Sequence, residues 1–257
     1  MSPFSKAVAA LLGRSTGDAS DVPRPDRLTY AVGDIHGRLD LLEQLLELIE
    51  GDRAGNPADL VFLGDYIDRG PSSAAVLETL LSLELPDVRR VCLMGNHERM
   101  FLDFLADPAA AGERWLLNGG RETVTSLLGA DWKAPPGVAF EQACRDAVLA
   151  NLDPALLHWV AQLPLQWRSG TLGCAHAITD PRTPWDDQTE ATLLWGRPRA
   201  NMPARSDGLW VVHGHTVVDR PVLHNKRVGL DTGAFHTGVL SAGRFDGQTV
   251  SVLTAQA

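Results

Sequence analysis

The chain has 257 residues, 44 % hydrophobic and 21 % charged, the balance of a globular protein long enough to bury a large core. Its formal net charge of −9 speaks against a nucleic-acid-coating role, since phosphate backbones are held by clustered Lys and Arg, yet one locally positive pocket can still take a phosphorylated substrate. Cys92, Cys144 and Cys174 are too few and too scattered for a disulfide framework, no apolar run approaches the roughly 20 residues that span a membrane, and the expected setting is cytoplasmic.

Residues 1–26 read as a flexible tail, because "SKAVAALLGR" is short and the polar stretch after it offers no convincing cleavage site. From residue 27 onward the pattern is that of one domain running to residue 257. "LTYAVG" reads as a buried strand, and Leu39–Glu50 carries leucines at helical spacing. "DLVFLG" (Asp59–Gly64) is a second strand, "SSAAVLETLLSLEL" a second helix with Ser72 or Ser73 as its cap, and "VRRVCLMG" a third strand. Continuous apolar strands alternating with helices predict parallel pairing. The stretch from Met100 to Leu163 reads as a helical insertion, after which β-like segments return, the last of them short and separated by Gly or Asn turns as in an antiparallel sheet.

Each of the first three strands ends in glycine followed by lone-pair-bearing side chains: "GDIHG" with Asp34 and His36, "GDYIDRG" with Asp65, Asp68 and Arg69, and "GNHE" with Asn96, His97 and Glu98. Ligands of open α/β sheets bind at the carboxyl ends of the strands, so the three tips converge on one crevice. His176 in "CAHA" and His215 in "HGHT" end two later strands. An O/N donor set without thiolate suits Mn²⁺, Fe or Zn²⁺, and its size exceeds what one tetrahedral ion needs, so two ions sharing a carboxylate are expected. His213, His158, His224 and His236 read as packing or surface residues.

With these residues assembled, the chain resembles the phosphoprotein phosphatase family of the calcineurin-like metallophosphoesterases, in its bacterial and phage lambda-phosphatase-like branch. The motifs GDxHG, GDxxDRG and GNHE stand here in order, followed by "WLLNGG", "CAHA", "LLWGRPR", "HGHT" and "LDTGA". The resemblance implies an α/β sandwich of central mixed sheets flanked by helices. It implies that Asp34, His36 and Asp65 hold one metal, and that Asp65 bridges to a second held by Asn96, His176 and His215. His97 then acts as general acid with Asp68 as its charge partner, Arg69 and Arg197 clamp the phosphate, and Glu98 and Asp231 support the ligands.

The implied activity is a serine/threonine protein phosphatase, tyrosine included, with two divalent ions, Mn²⁺ first and Fe or Zn²⁺ as alternatives, and a metal-bound hydroxide as nucleophile. The expected partner is a phosphorylated protein or peptide, or a phosphorylated small molecule, with no nucleic acid or membrane, and the protein is expected to be a monomer. A symmetrical diadenosine tetraphosphate hydrolase is the alternative. In those enzymes the first motif usually reads Gly-Asp-Ile-Gln-Gly, so His36 favours the phosphatase. A catalytically dead interaction module would show a broken site, and every expected ligand is present here. Ile178 and Thr179 in "HAITDP" depart from the pattern, and Arg99 is either a pocket-rim charge or a helix-end charge.

Overall fold

The computed structural model describes residues 10–11 and 22–257, so the expected tail falls largely outside the described residues. Its described part forms a short strand, β1 (Ala10–Leu11). Then follow β2 (Thr29–Val32), α1 (Leu39–Arg53), β3 (Ala58–Phe62), α2 (Ser73–Ser82), β4 (Val88–Cys92) and α3 (Asn96–Ala106). The helical stretch continues with α4 (Pro108–Trp115), a π-helical segment at Leu116–Gly120, α5 (Arg121–Leu128), α6 (Phe140–Asn151) and α7 (Pro154–Ala161). The rest comprises β5 (Gln166–Ser169), β6 (Leu172–Ala175), α8 (Glu190–Trp195), β7 (Trp210–His213), β8 (Val222–His224), β9 (Arg227–Gly229), α9 (Ala234–Thr237), β10 (Val239–Phe245) and β11 (Val250–Gln256).

The strands form two mixed sheets, ordered β1-β11-β10-β2-β3-β4 and β5-β6-β7-β9-β8. As the alternating pattern predicts, β2, β3 and β4 pair in parallel. Alternation along them divides their side chains between two cores. Tyr30, Val32, Leu60 and Phe62 face helices together with Leu41, Leu42 and Leu45 of α1. Ala31, Val61 and Leu63 face the second sheet, where Cys174, Val212 and Val228 meet them. Burial on both faces is why these strands read as unbroken apolar runs.

Two local expectations are corrected. The late strands do not make one antiparallel sheet: β10 and β11 join the first sheet, while β6, β7 and β9 pair in parallel in the second. Antiparallel pairing across a short turn does hold for the β8–β9 hairpin, with Asn225 and Lys226 both at positive φ as a tight two-residue turn requires, and for β10–β11, whose turn carries Gly247 at positive φ. Ser72 holds the N-cap position of α2 without a side-chain cap bond, and Ser73 instead turns its hydroxyl to accept from the Asp68 backbone N–H at 3.0 Å. The helical insertion after the third strand stands as expected.

Candidate metal centre and active site

The tips of β2, β3, β4, β6 and β7 deliver the motif residues to one place. Helix α3 starts at Asn96, so Asn96, His97 and Glu98 form its first turn instead of a loop. Gly95 before them makes that entry possible: a Cβ there would lie 2.2 Å from both the Asp65 backbone nitrogen and its Oδ1. His36, Asp65, Asp68, Arg69 and His215 all adopt positive φ, a conformation that costs non-glycine residues roughly 1–3 kcal/mol each and that clusters at functional sites. Beneath them, buried Glu98 accepts backbone N–H bonds from Asp65 and Gly95 at 2.9 Å and from Tyr66 at 2.8 Å. That carboxyl locks the β3 and β4 tips together, and burial, then the Asp65 charge, push it up to about 7.

Asp65 lies at the centre. His36, Asp65 and His97 form one group whose ligand atoms lie within 4.8 Å of one another, and Asp65, His176 and His215 form a second. His36 Nδ1 donates to the Ile67 carbonyl at 2.8 Å and His176 Nδ1 to the Leu63 carbonyl at 2.9 Å, leaving both Nε2 lone pairs turned to the site. His176 Nε2 then stands 2.8 Å from Asn96 Oδ1 and 3.4 Å from Asp65 Oδ1, while His215 Nδ1 stands 2.7 Å from the same Asn96 oxygen. With its proton committed to Leu63, His176 turns a lone pair on the Asn96 oxygen, and the buried Nε2 of His215 has no hydrogen-bond partner among the described residues. These polar atoms are ones a cation would reconcile, and the two ligand groups sharing Asp65 fit a metal pair. Burial pulls His36 down to about 3 and, with His176, His215 down to about 4, so both imidazoles are in the neutral form that metals need. Asp34 lies beside the second group, its carboxylate accepting the His215 backbone N–H at 3.0 Å. Burial and then the Asp231 and Asp65 charges raise its pKa, a buried carboxylate crowding that a cation relieves.

His97 is held on one side by Asp68, Nδ1 to Oδ2 at 2.6 Å, and its Nε2 faces Arg69 Nη2 at 3.0 Å. Burial works to lower the His97 pKa, but the Asp65 charge and the Asp68 hydrogen bond outweigh it and hold the imidazole above its ordinary value. Arg69 also reaches His36 Nε2 at 3.0 Å and stacks 4.9 Å from the Phe235 ring. Arg197 is exposed on the loop after α8 and makes none of these contacts. Arg99 pairs with Asp103 at 2.9 Å, the helix-surface alternative, and His213 is buried with its Nδ1 on the Gly214 carbonyl.

Three residues without an expected role, two of them inside the "WLLNGG" stretch, brace Asp68 and Arg69. Trp115 Nε1 donates to Asp68 Oδ2 at 3.0 Å, and Thr123 Oγ1 donates to Asp68 Oδ1 at 2.6 Å. Gly119, at φ +105° in the π-helical segment, accepts the Arg69 backbone N–H at 3.1 Å. The "WLLNGG" stretch carried the signal, but its role required the long-range fold. Thr123→Val removes the hydroxyl and keeps the shape, so unfolding in urea is expected to show a stability loss of about 1–3 kcal/mol, with Thr123→Ser restoring it. Equal stability of the Val and wild-type proteins would show that the network is not buried and satisfied as described.

Residues 28–224 match the family model for calcineurin-like phosphoesterases. A serine/threonine-protein phosphatase 1 of Salmonella typhimurium is 31 % identical over 224 residues, covering 85 % of this chain and 92 % of the relative. An asymmetrical bis(5'-nucleosyl)-tetraphosphatase of Halalkalibacterium halodurans is 27 % identical over 225 residues, covering 83 % and 88 %. Among solved structures, a putative diadenosine tetraphosphatase superposes with a TM-score of 0.59 at 21 % identity, covering 91 % and 96 % of the two chains, a likeness of fold. Two sheets meeting at a ligand-rich edge therefore define a metal-dependent hydrolase of phosphate esters. The chain belongs to the calcineurin-like metallophosphoesterases, and its relatives divide between phosphatases of proteins and hydrolases of dinucleotides.

Proposed function

We propose that this enzyme removes phosphate from phosphorylated serine and threonine side chains of proteins, with tyrosine as a further substrate, and works with two divalent ions, Mn²⁺ first among them. The observation that carries the monoesterase chemistry is the His97–Asp68 pair facing the Asp65 centre with Arg69 alongside. Asp34, His36 and Asp65 would hold one ion, and Asp65, Asn96, His176 and His215 would hold the other. When bound, the ions supply an activated water and neutralise phosphoryl charge. Arg69, preorganised on Phe235, orients the equatorial oxygens from one side, as a planar guanidinium does well, and Arg197 approaches from the other. His97 gives its Nε2 proton to the departing serine or threonine oxygen, while Asp68 keeps the ring charged and aimed through Nδ1. Trp115 and Thr123 fix the Asp68 carboxylate in turn.

The protein substrate rests on the Salmonella typhimurium phosphatase likeness and on His36, which speaks against a symmetrical dinucleotide hydrolase; the dinucleotide reading rests on the Halalkalibacterium halodurans relative, named for the asymmetrical reaction. Chelated protein reloaded with Mn²⁺ is expected to release inorganic phosphate from a phosphoserine peptide with a kcat/KM at least about tenfold above that for diadenosine tetraphosphate, a difference of about 1.4 kcal/mol in transition-state binding. The reverse order, with nucleotide products, overturns the proposal in favour of the dinucleotide reading.

A further inference from the structure

Beyond His176 the chain builds a second feature that the metal centre does not use. The segment after β6 and the loop after α8 enclose a cavity of about 500 Å³, bordered by Asp180, Arg182, Trp195, Arg197, Arg199 and Met202. Its walls are pinned from behind. Gln188 accepts the Asp180 N–H through Oε1 at 2.9 Å and donates Nε2 to the Asp180 and Thr183 carbonyls at 2.9 and 2.8 Å. Buried Arg205 donates to the same two carbonyls at 3.0 and 3.1 Å and pairs with Asp207. The Ala177 N–H bonds the Leu193 carbonyl at 2.8 Å, tying the segment to α8. A cavity whose frame is fixed in this way takes a ligand with little ordering cost.

Although the net charge is −9, three arginines border this one cavity, and the guanidinium groups of Arg182, Arg197 and Arg199 carry no ion pair or hydrogen bond among the described residues. Arg114, Arg121 and Arg220 likewise have no carboxylate partner, but only here do three such groups gather at one concavity among the described residues. The one carboxylate on the rim, Asp180, receives the Arg182 backbone N–H at 2.9 Å. Arg182, Arg197 and Arg199 are exposed, and three positive charges bordering one concavity attract an anion to it. Their guanidinium forks match carboxylate and phosphate geometry. The cavity also adjoins the reaction site, for the Trp195 ring that borders it meets the His215 ring edge-on at 6.2 Å between centroids.

We propose that this cavity is a second anion subsite, which receives an acidic side chain, a carboxylate or a second phosphate, lying close in sequence to the phosphorylated residue of a peptide substrate. The proposal rests on the protein-phosphatase reading and extends it to substrate choice. An extended peptide advances about 3.3 Å per residue, so a residue two or three positions from the scissile phosphate spans from the metal centre into the neighbouring cavity. Arg197 serves both sites, whereas Arg182 and Arg199 belong to the subsite alone.

The test compares phosphoserine peptides with glutamate, phosphoserine or glutamine two or three positions away, on wild type and on the Arg182→Gln, Arg199→Gln double variant. The wild type should favour the glutamate and doubly phosphorylated peptides by about tenfold over the glutamine peptide, mainly through KM, the size expected of one or two charge-assisted contacts. That preference should shrink as salt is raised. The double variant should lose it while turning over p-nitrophenyl phosphate as the wild type does. A preference for the doubly phosphorylated peptide alone assigns the subsite to phosphate, and a shared preference assigns it to any anion. Equal kcat/KM for acidic and neutral peptides in the wild type, or an undiminished preference in the variant, overturns the subsite and leaves the phosphatase reading standing. Turnover of p-nitrophenyl phosphate or diadenosine tetraphosphate with no phosphopeptide hydrolysed overturns both.

Discussion

His97→Asn lowers kcat for a phosphoserine peptide by about 10²–10⁴-fold, the range that a positioned general acid supplies, while the protein still takes up two ions per chain. The geometry requires this split. His97 sits at the start of α3 with its Nδ1 engaged by Asp68 at 2.6 Å, so Nε2 is the nitrogen turned toward the reacting group. Asparagine matches only the Nδ1 edge of the ring, where its amide can still donate to Asp68, and it has no proton to give at neutral pH. The loss should be smaller on p-nitrophenyl phosphate, whose phenolate departs without a proton, than on a serine ester, whose alkoxide does not. His97 also lies within the first group of ligand atoms, beside His36 and Asp65. Steady-state kinetics with metal analysis on one sample therefore decide its role: loss of an ion together with activity makes His97 a ligand and removes the general-acid assignment.

Asp65→Asn has the largest expected effect. Asp65 is common to both ligand groups found among the described residues. Burial acts to raise its pKa, but the His176, His97 and His36 rings and the His97 backbone N–H outweigh that and keep the carboxylate ionised. The amide keeps the His97 N–H bond but removes the one negative charge facing both groups, so activity should drop by more than about 10³-fold and the affinity for ions should fall at both sites. Asp34→Asn, by contrast, touches the second group only through the His215 backbone N–H. Retention of wild-type turnover by Asp65→Asn would remove the shared-carboxylate account.

Much of this site was legible because local chemistry and chain order coincide there. A strand tip followed by glycine and a donor residue is readable in five or six letters, and β2, β3 and β4 carry three such tips in parallel register. What was hidden depends on contacts across long separations. Trp115 and Thr123 meet Asp68 from 47 and 55 residues away, and nothing in their own neighbourhoods marks them as partners of a charge. Helix α8 and the loop after it were also not expected, since "EATLLW" is too short to show periodicity, and the polar frame of Gln188 and Arg205 exists only when the loop is closed. The start of α3 at Asn96 was missed for a related reason: an apolar strand running into polar residues looks like a loop unless the Glu98 carboxylate is seen bonding back to the Gly95 N–H. The late strands misled because short alternating segments do not state their partners, and here they divide between two sheets.

On the proposed reading, one carboxylate, Asp65, organises two ion sites. The most direct measurement is a Mn²⁺ titration of chelated wild-type and Asp65→Asn proteins, with bound metal counted and its electron paramagnetic resonance spectrum recorded beside phosphatase activity. Two ions per wild-type chain are expected, with the spectrum of a coupled pair and activity rising with the second ion, and neither the pair nor the activity in the variant. A single magnetically isolated ion that supports full turnover, or a coupled pair that survives in Asp65→Asn, would contradict that reading.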